Sequence, residues 1–236
     1  MKTASLIRWT VLVSVLLIVI AVVIASLQGQ VQVNDLPHGW NAPLLALQFA
    51  ESPDDIKQIL APMEQIASLR KVIIADFPFI AAYTTLFALF GMLLLRRRTR
   101  KFYHWLGTAL IVIAGLTAAV DCVENVLMLQ ILSSQIPSTA PLTLVTETKW
   151  VGTALMALLA SVLFWVPGRI DSDLRLSLRL VMLLLALSAA ISLWGALDYH
   201  HALEHSLDYF ALATLIFTAA LSFKRNRLEF ETGLLH

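Results

Sequence analysis

Residues 102–132 read FYHWLGTALIVIAGLTAAVDCVENVLMLQIL. From Phe102 to Val120 there is no Asp, Glu, Lys or Arg, and the stretch follows the basic run Arg96-Arg97-Arg98-Thr99-Arg100-Lys101. About 20 apolar residues in a helix cross roughly 30 Å of hydrocarbon, so this segment reads as a membrane span. Its far end breaks the apolar pattern with Asp121, Glu124 and Asn125. Spacings of three and four put these side chains on one helical face, with Thr117 and Met128 on the same stripe. Counted from Lys101, Asp121 lies about 30 Å along the helix, at the outer edge of the hydrocarbon. Ionisable groups in such places are costly and mark functional sites by default.

The rest of the chain repeats the apolar segments. Of its 236 residues, 58% are hydrophobic and 14% charged, where a soluble domain carries about 25% charged residues. Further spans are predicted over residues 6–27, 72–95, 147–166, 174–197 and 207–223. The expected fold is an all-α, polytopic membrane helical bundle of six transmembrane helices, with an outer amphipathic segment over residues 28–71. It reads as one membrane domain over 1–236; the alternative is a four-helix core over 1–166 with a two-helix extension over 167–236. Among the 17 Lys and Arg residues, only Lys57, Arg70, Lys71 and Lys149 fall on the outer side of this map. The positive-inside rule then makes both termini cytoplasmic. The first segment reads as an uncleaved anchor, since a signal peptide's apolar core runs only about 7–15 residues.

Composition also excludes some functions. A net charge of +1, with basic residues confined to short runs, argues against nucleic acid as a partner. The single cysteine, Cys122, rules out an intramolecular disulfide and reads as a small packing residue. No glycine-rich phosphate loop, serine elbow or paired-cysteine metal spacing occurs.

Within residues 28–71, Ser52-Pro53-Asp54-Asp55 is a helix start. Ser52 can cap, Pro53 suits the first helical position, and the aspartates complement the positive helix end. Ile56, Ile59, Leu60, Met63 and Leu69 follow at mostly helical spacing, and Pro62 interrupts or kinks the run. One or two amphipathic helices are expected, either on the outer membrane surface or packed on the bundle. His38-Gly39-Trp40 reads as an interfacial turn.

Two clusters carry the polar chemistry. In the first, Asp121, Glu124 and Asn125 face Lys149, expected at the start of the fourth span, because unpaired charge in lipid is penalised. Asp76 reads as the N-cap of the second span, just before Pro78. Tyr83, two turns inward, is placed to hydrogen-bond to the third span or to act as an interfacial aromatic. The cluster reads either as an interhelical ion-paired tie, as a ligand, cation or metal site, or as an acid–base pair. The second is Asp198-Tyr199-His200-His201-Ala202-Leu203-Glu204-His205-Ser206-Leu207-Asp208. His201 and His205 have the four-residue spacing of two metal ligands on a helix, and Asp198 or Glu204 would complete the set. The chain must also turn here, because one helix from Leu174 to Phe223 would be about 75 Å long. Solvated turn histidines and a proton sensor are the other readings.

Asp76-Phe77-Pro78-Phe79-Ile80 with Tyr83, then Asp121-Cys122-Val123-Glu124-Asn125, then Lys149, resembles a group of uncharacterised bacterial multi-pass membrane proteins with an Asp-x-x-Glu-Asn motif in the third helix. The resemblance covers about residues 40–166 and implies that Asp76, Asp121, Glu124, Asn125 and Lys149 form one constellation. It implies no activity. By chemistry alone, the acidic and histidine clusters at one depth also resemble the alkaline ceramidases, membrane hydrolases with a histidine-bound zinc. The acidic motif here departs from that pattern by lying in the third helix rather than at the chain start.

The leading expectation is an integral protein of the bacterial inner membrane whose outward-facing acidic and histidine pocket binds a small ligand, ion, lipid headgroup or partner. The alternative is a hydrolase that uses a divalent metal to attack an outer-leaflet lipid. A proton- or cation-coupled transporter is disfavoured, because no charge falls near the midplane and no inverted repeat is evident. Whether the chain is an enzyme is left open. Membrane lipids are the expected partners, with a membrane protein or a second copy of the chain as further candidates. His104 and Trp105 read as inner-edge anchors, and Gly107, Gly115, Gly152 and Ala157 as positions of close helix packing.

Overall fold

In lipid a backbone N–H or C=O finds no partner except within its own helix, and long apolar runs such as these are accordingly helical. The computed structural model describes residues 2–29, 31, 36–61, 63–96, 101–133, 139–165, 172–197 and 202–235. Among them there is no strand. The helices are α1 (Thr3–Gln28), α2 (Pro43–Gln48), α3 (Pro53–Leu60), α4 (Met63–Leu95), α5 (Lys101–Leu132), α6 (Thr139–Ser161), α7 (Ser172–Leu197), α8 (Ala202–Ser222) and α9 (Lys224–Leu235). Single 3-10 turns occur at Pro37–Gly39 and Val162–Phe164.

By length and composition, five of the helices can cross a membrane: Thr3–Gln28, Ile66–Leu95, Lys101–Leu132, Thr139–Phe164 and Ser172–Ala196. The chain is therefore a multi-pass helical membrane bundle. The sixth expected span is helical as α8, but its apolar part is only Asp208–Ser222. At 1.5 Å per residue that is about 22 Å, short of the roughly 30 Å of hydrocarbon.

Six helices close into a ring. α1 packs on α4, α4 on α5, α5 on α6, α6 on α7, α7 on α8, and α8 returns to α1. Aromatic side chains fill the centre. Phe90 of α4 meets Phe164 and Phe217 edge-on, each at 5.4 Å between ring centroids. Phe164 and Phe217 lie 5.3 Å apart, and Phe87 stacks on Phe210 at 5.6 Å. Edge-on and offset pairs suit the ring quadrupole. Residues from both sides of position 166 share this core.

Two of the expected close approaches are built from glycine. A Cβ on Gly107 would lie 2.6 Å from the Gly91 carbonyl oxygen, and a Cβ on Gly91 2.7 Å from that of Gly107. The backbones of α4 and α5 therefore touch. Gly152 of α6 sits directly against Thr117 of α5. Gly115 differs from expectation: nothing lies within 4 Å of where its Cβ would be, because it faces away from the α4 and α6 seams. Ala157 is buried beside Ala154 and Ala189.

Two helices start earlier than hydropathy indicates. α4 begins at Met63 and α6 at Thr139. Arg70 and Lys71 are exposed and lower the apparent hydropathy without ending the helix, since straight-chain residues are good helix formers. Asp76 is consequently not an N-cap but a mid-helix residue, and Pro78 lies inside α4. Pro141, expected in a loop over 133–143, sits in the first turn of α6, where its missing N–H costs nothing. Lys149 is thus ten residues into α6 rather than at its start. α4 and α5, with 33 and 32 residues, are about 50 Å long and outreach the hydrocarbon.

Residues 36–60 pack on the ends of α4, α5 and α6. The chain turns through His38 and Gly39, with φ of 56° and 74°, and Trp40 stacks on Phe49 at 5.5 Å. Pro43 opens α2, of which Leu45, Ala46, Leu47 and Gln48 are all buried. α3 buries Ile56 and Ile59 and exposes Asp54 and Lys57. Its start is as expected: Ser52 Oγ accepts from the Asp55 N–H at 3.1 Å, and Asp55 Oδ2 accepts from the Ser52 N–H at 2.9 Å and the Glu51 N–H at 3.0 Å. Pro62 lies outside the described residues; α3 ends at Leu60 and α4 begins at Met63.

Burial raises the Asp55 carboxyl, but the hydrogen bonds from Ser52, Glu51 and His38 outweigh it and hold the group below its ordinary value of 3.8. A depressed folded pKa contributes stability that is present above the unfolded value and lost as pH falls through the folded one. Hydrogen exchange in α3 is therefore expected to hold its protection down to about pH 4 and lose it below. Asp55→Asn should show the looser exchange already at neutral pH. Identical protection in the two proteins at neutral pH would contradict this.

Candidate functional site

The packing of α2–α6 at one end of the bundle forms its own apolar cluster, with Trp40, Leu47, Phe49, Ile59, Ile73, Met128 and Trp150 among its members. Between it and the aromatic core lies a polar layer, and the expected face of α5 supplies most of it. Thr117, Asp121, Glu124, Asn125 and Met128 are all buried, while Val123 and Val126 on the opposite face are exposed.

The structure brings the first cluster together. Lys149 of α6 forms a close ion pair with Glu124 Oε2 and stands 3.4 Å from Asp121 Oδ1. Tyr83 of α4 donates to Asp121 Oδ2 at 2.9 Å. Asn125 Nδ2 donates to Asp76 Oδ2 at 2.8 Å. Two further residues complete the layer and were not expected from sequence. Thr146 Oγ1 donates to Glu124 Oε1, and Gln48 Nε2 reaches from α2 to donate to Glu124 Oε2 at 3.0 Å. Thr146 precedes Lys149 by three residues, so helical spacing alone puts the two on one face. Gln48 is the single polar residue in the run Pro43-Leu44-Leu45-Ala46-Leu47-Gln48-Phe49-Ala50, a signal that its partner lies inside. The Gly152–Thr117 contact fixes the α5–α6 spacing one turn below.

Each position follows from its helix. Asp76 and Tyr83, seven residues apart on α4, face α5 on one stripe. Because α4 begins at Met63, Asp76 lies well inside it and falls at the level of Asp121 and Asn125.

Charge and hydrogen bonding are both unbalanced here. Three carboxylates, Asp76, Asp121 and Glu124, face one ammonium, Lys149. Among the described residues no other cation pairs with them. Asp76 is half-buried; Asp121, Glu124 and Lys149 are buried. Three oxygens, Gln48 Oε1, Asp121 Oδ1 and Asn125 Oδ1, are buried with no hydrogen-bond donor. Asp121 Oδ1 has only its 3.4 Å ion contact with Lys149. The corresponding orphan donor is Trp150 Nε1, whose ring lies beneath Lys149 Nζ at 5.4 Å. The layer is short of positive charge and short of donors.

The second cluster is placed only in part. Asp198, His200 and His201 lie outside the described residues, and so does the Glu204 side chain. Ala196 near the end of α7 and Leu203 at the start of α8 are buried in the same apolar cluster as Trp150, so these two helix ends lie at the same end of the bundle as the polar layer. His205 is exposed, 4.0 Å from the equally exposed Asp208. It faces outward and not toward Asp121. Among the described residues no three His, Cys, Asp or Glu side chains are arranged to hold a metal ion. The chain matches no family model, and no curated protein or solved structure is significantly similar to it.

Proposed function

We propose that this protein is a non-enzymatic, cation-binding integral protein of a bacterial inner membrane, and that the polar layer around Asp76, Asp121, Glu124 and Lys149 is its binding site. The observation that carries this reading is the double deficit of the layer: three carboxylates against one lysine, and three buried oxygens without donors. Taking an ion from water into a low-dielectric interior costs several kcal/mol after relaxation. An additional cation would reduce that cost for the carboxylates and satisfy the orphaned oxygens together. In this reading the basic residues around Arg96, Arg175 and Arg227 keep both termini cytoplasmic, α8 makes the sixth crossing over its full 21 residues, with its polar start at the membrane edge, and the layer faces outward.

Ligand linkage tests it. The purified protein, in detergent, is unfolded thermally at constant ionic strength while N-methylglucamine chloride, whose cation is too bulky for the layer, is exchanged for salts of small cations. A parallel series varies pH. A bound cation raises the midpoint by mass action, and at least one small cation, the proton included, is expected to do so. A midpoint indifferent to every cation and to pH would overturn the reading.

A further inference from the structure

We infer that the cation taken up by this layer is an ammonium group carrying N–H donors, either free or as the headgroup of an aminolipid. The inference rests on the cation-binding reading and narrows it. Its first support is the layer's own lysine. The Lys149 ammonium donates to Glu124 Oε2 and leaves Asp121 Oδ1 at 3.4 Å with no donor of its own, so the layer already accepts one N–H cation and has a carboxylate oxygen left for another. The second support is the kind of atom left over. Asn125 Oδ1 and Gln48 Oε1 are amide oxygens, on residues 0% and 3% exposed, and neither has a donor. Each belongs to an amide whose nitrogen already donates to a carboxylate of the layer, Asp76 or Glu124. The amides are thus oriented by those bonds, leaving their oxygens as acceptors. A carboxylate with neutral amide oxygens is a set that N–H groups fill, each donating one directed bond.

Among the described residues of the layer, Asp76 is the least covered. Asp76 and its neighbours Ala75 and Phe77 are half-buried and Pro78 is exposed, whereas Glu124 and Asn125 are sealed. An ammonium ion is about the size of a water molecule and needs no more room than a bridging water. A primary amine would enter head-first past Asp76, with its remaining atoms against Ala75, Phe77 and Phe79. Quaternary amines lack N–H donors and would leave the orphaned oxygens unsatisfied.

The test uses the full chain and its thermal midpoint. At constant ionic strength, ammonium and ethanolamine are compared with potassium, a spherical ion of similar size, and with tetramethylammonium. The same protein is then placed in nanodiscs of phosphatidylcholine with and without phosphatidylethanolamine. Ammonium and ethanolamine should raise the midpoint by about 5–10 °C at a hundred-fold excess over Kd, with potassium and tetramethylammonium near zero. Asp76→Asn should remove the response. A midpoint raised by phosphatidylethanolamine in the absence of free amine assigns the group to the lipid; one raised only by ethanolamine or ammonium assigns it to a soluble amine. Equal stabilisation by potassium and ammonium, or stabilisation by acidification alone, overturns the ammonium assignment and leaves cation binding standing. No response to any cation or to pH removes both. The wild-type series decides even if the variant does not insert.

Discussion

Lys149→Met destabilises the protein by about 3–5 kcal/mol, the cost of removing one partner from a buried ion pair. The lysine is the only described cation in contact with Glu124 and Asp121, and methionine fills most of its volume while supplying no charge. The loss is therefore electrostatic rather than a cavity effect. Glu124 would keep its hydrogen bonds from Gln48 and Thr146, but its charge would lie in a buried layer already in excess of negative charge. Adding Glu124→Gln to Lys149→Met should recover part of the loss, because the unpaired carboxylate is then gone. Thermal or denaturant unfolding in detergent measures both. Additive losses in the double variant would contradict a direct pair.

Phe90→Ala lowers stability by about 3 kcal/mol, near the bottom of the range for truncating a buried aromatic. The figure is low because lipid is as apolar as the core, so little transfer free energy is lost; what is lost is packing. Phe90 is 3% exposed and touches Phe87, Phe164 and Phe217, which joins α4 to α8 through the middle of the ring. Phe217→Ala should cost a similar amount, and the double variant less than the sum, since both vacate one cavity. Full additivity would mean that α8 does not share the core. In that case residues 167–236 would behave as a separable pair of helices.

How far the sequence was legible depends on the range of each signal. The buried face of α5 was readable because residues 117, 121, 124, 125 and 128 repeat at helical spacing within a single run. Its tie to Lys149 followed from the penalty on unpaired charge in lipid. The starts of α4 and α6 were misplaced because hydropathy reports contact with lipid, and both helices continue past it. The stretch from Met63 to Lys71 is helical, but Glu64, Gln65, Arg70 and Lys71 lower its hydropathy, so the span was expected to start only at Val72. That error made Asp76 look like a cap, although Val72, Ile73, Ile80 and Tyr83 already form a buried stripe through it. The partner of Gln48 was unreadable for another reason: Glu124 is 76 residues away, and while the lone polar residue in an apolar run marks Gln48, no local pattern says what it meets. The four-residue histidine spacing has no outcome to set beside it: His201 lies outside the described residues, and His205 alone is seen, exposed and facing away from the layer.

Three carboxylates against one lysine leave the polar layer with an excess of negative charge. The most direct measurement is the thermal midpoint of Asp76→Asn beside the wild type, with N-methylglucamine as the only added cation. The substitution removes one charge, keeps an acceptor for Asn125 and adds a donor for the orphaned oxygens. The account predicts a variant more stable than the wild type under these conditions, and no longer stabilised by small cations. A variant less stable than the wild type, with its cation response intact, would contradict it.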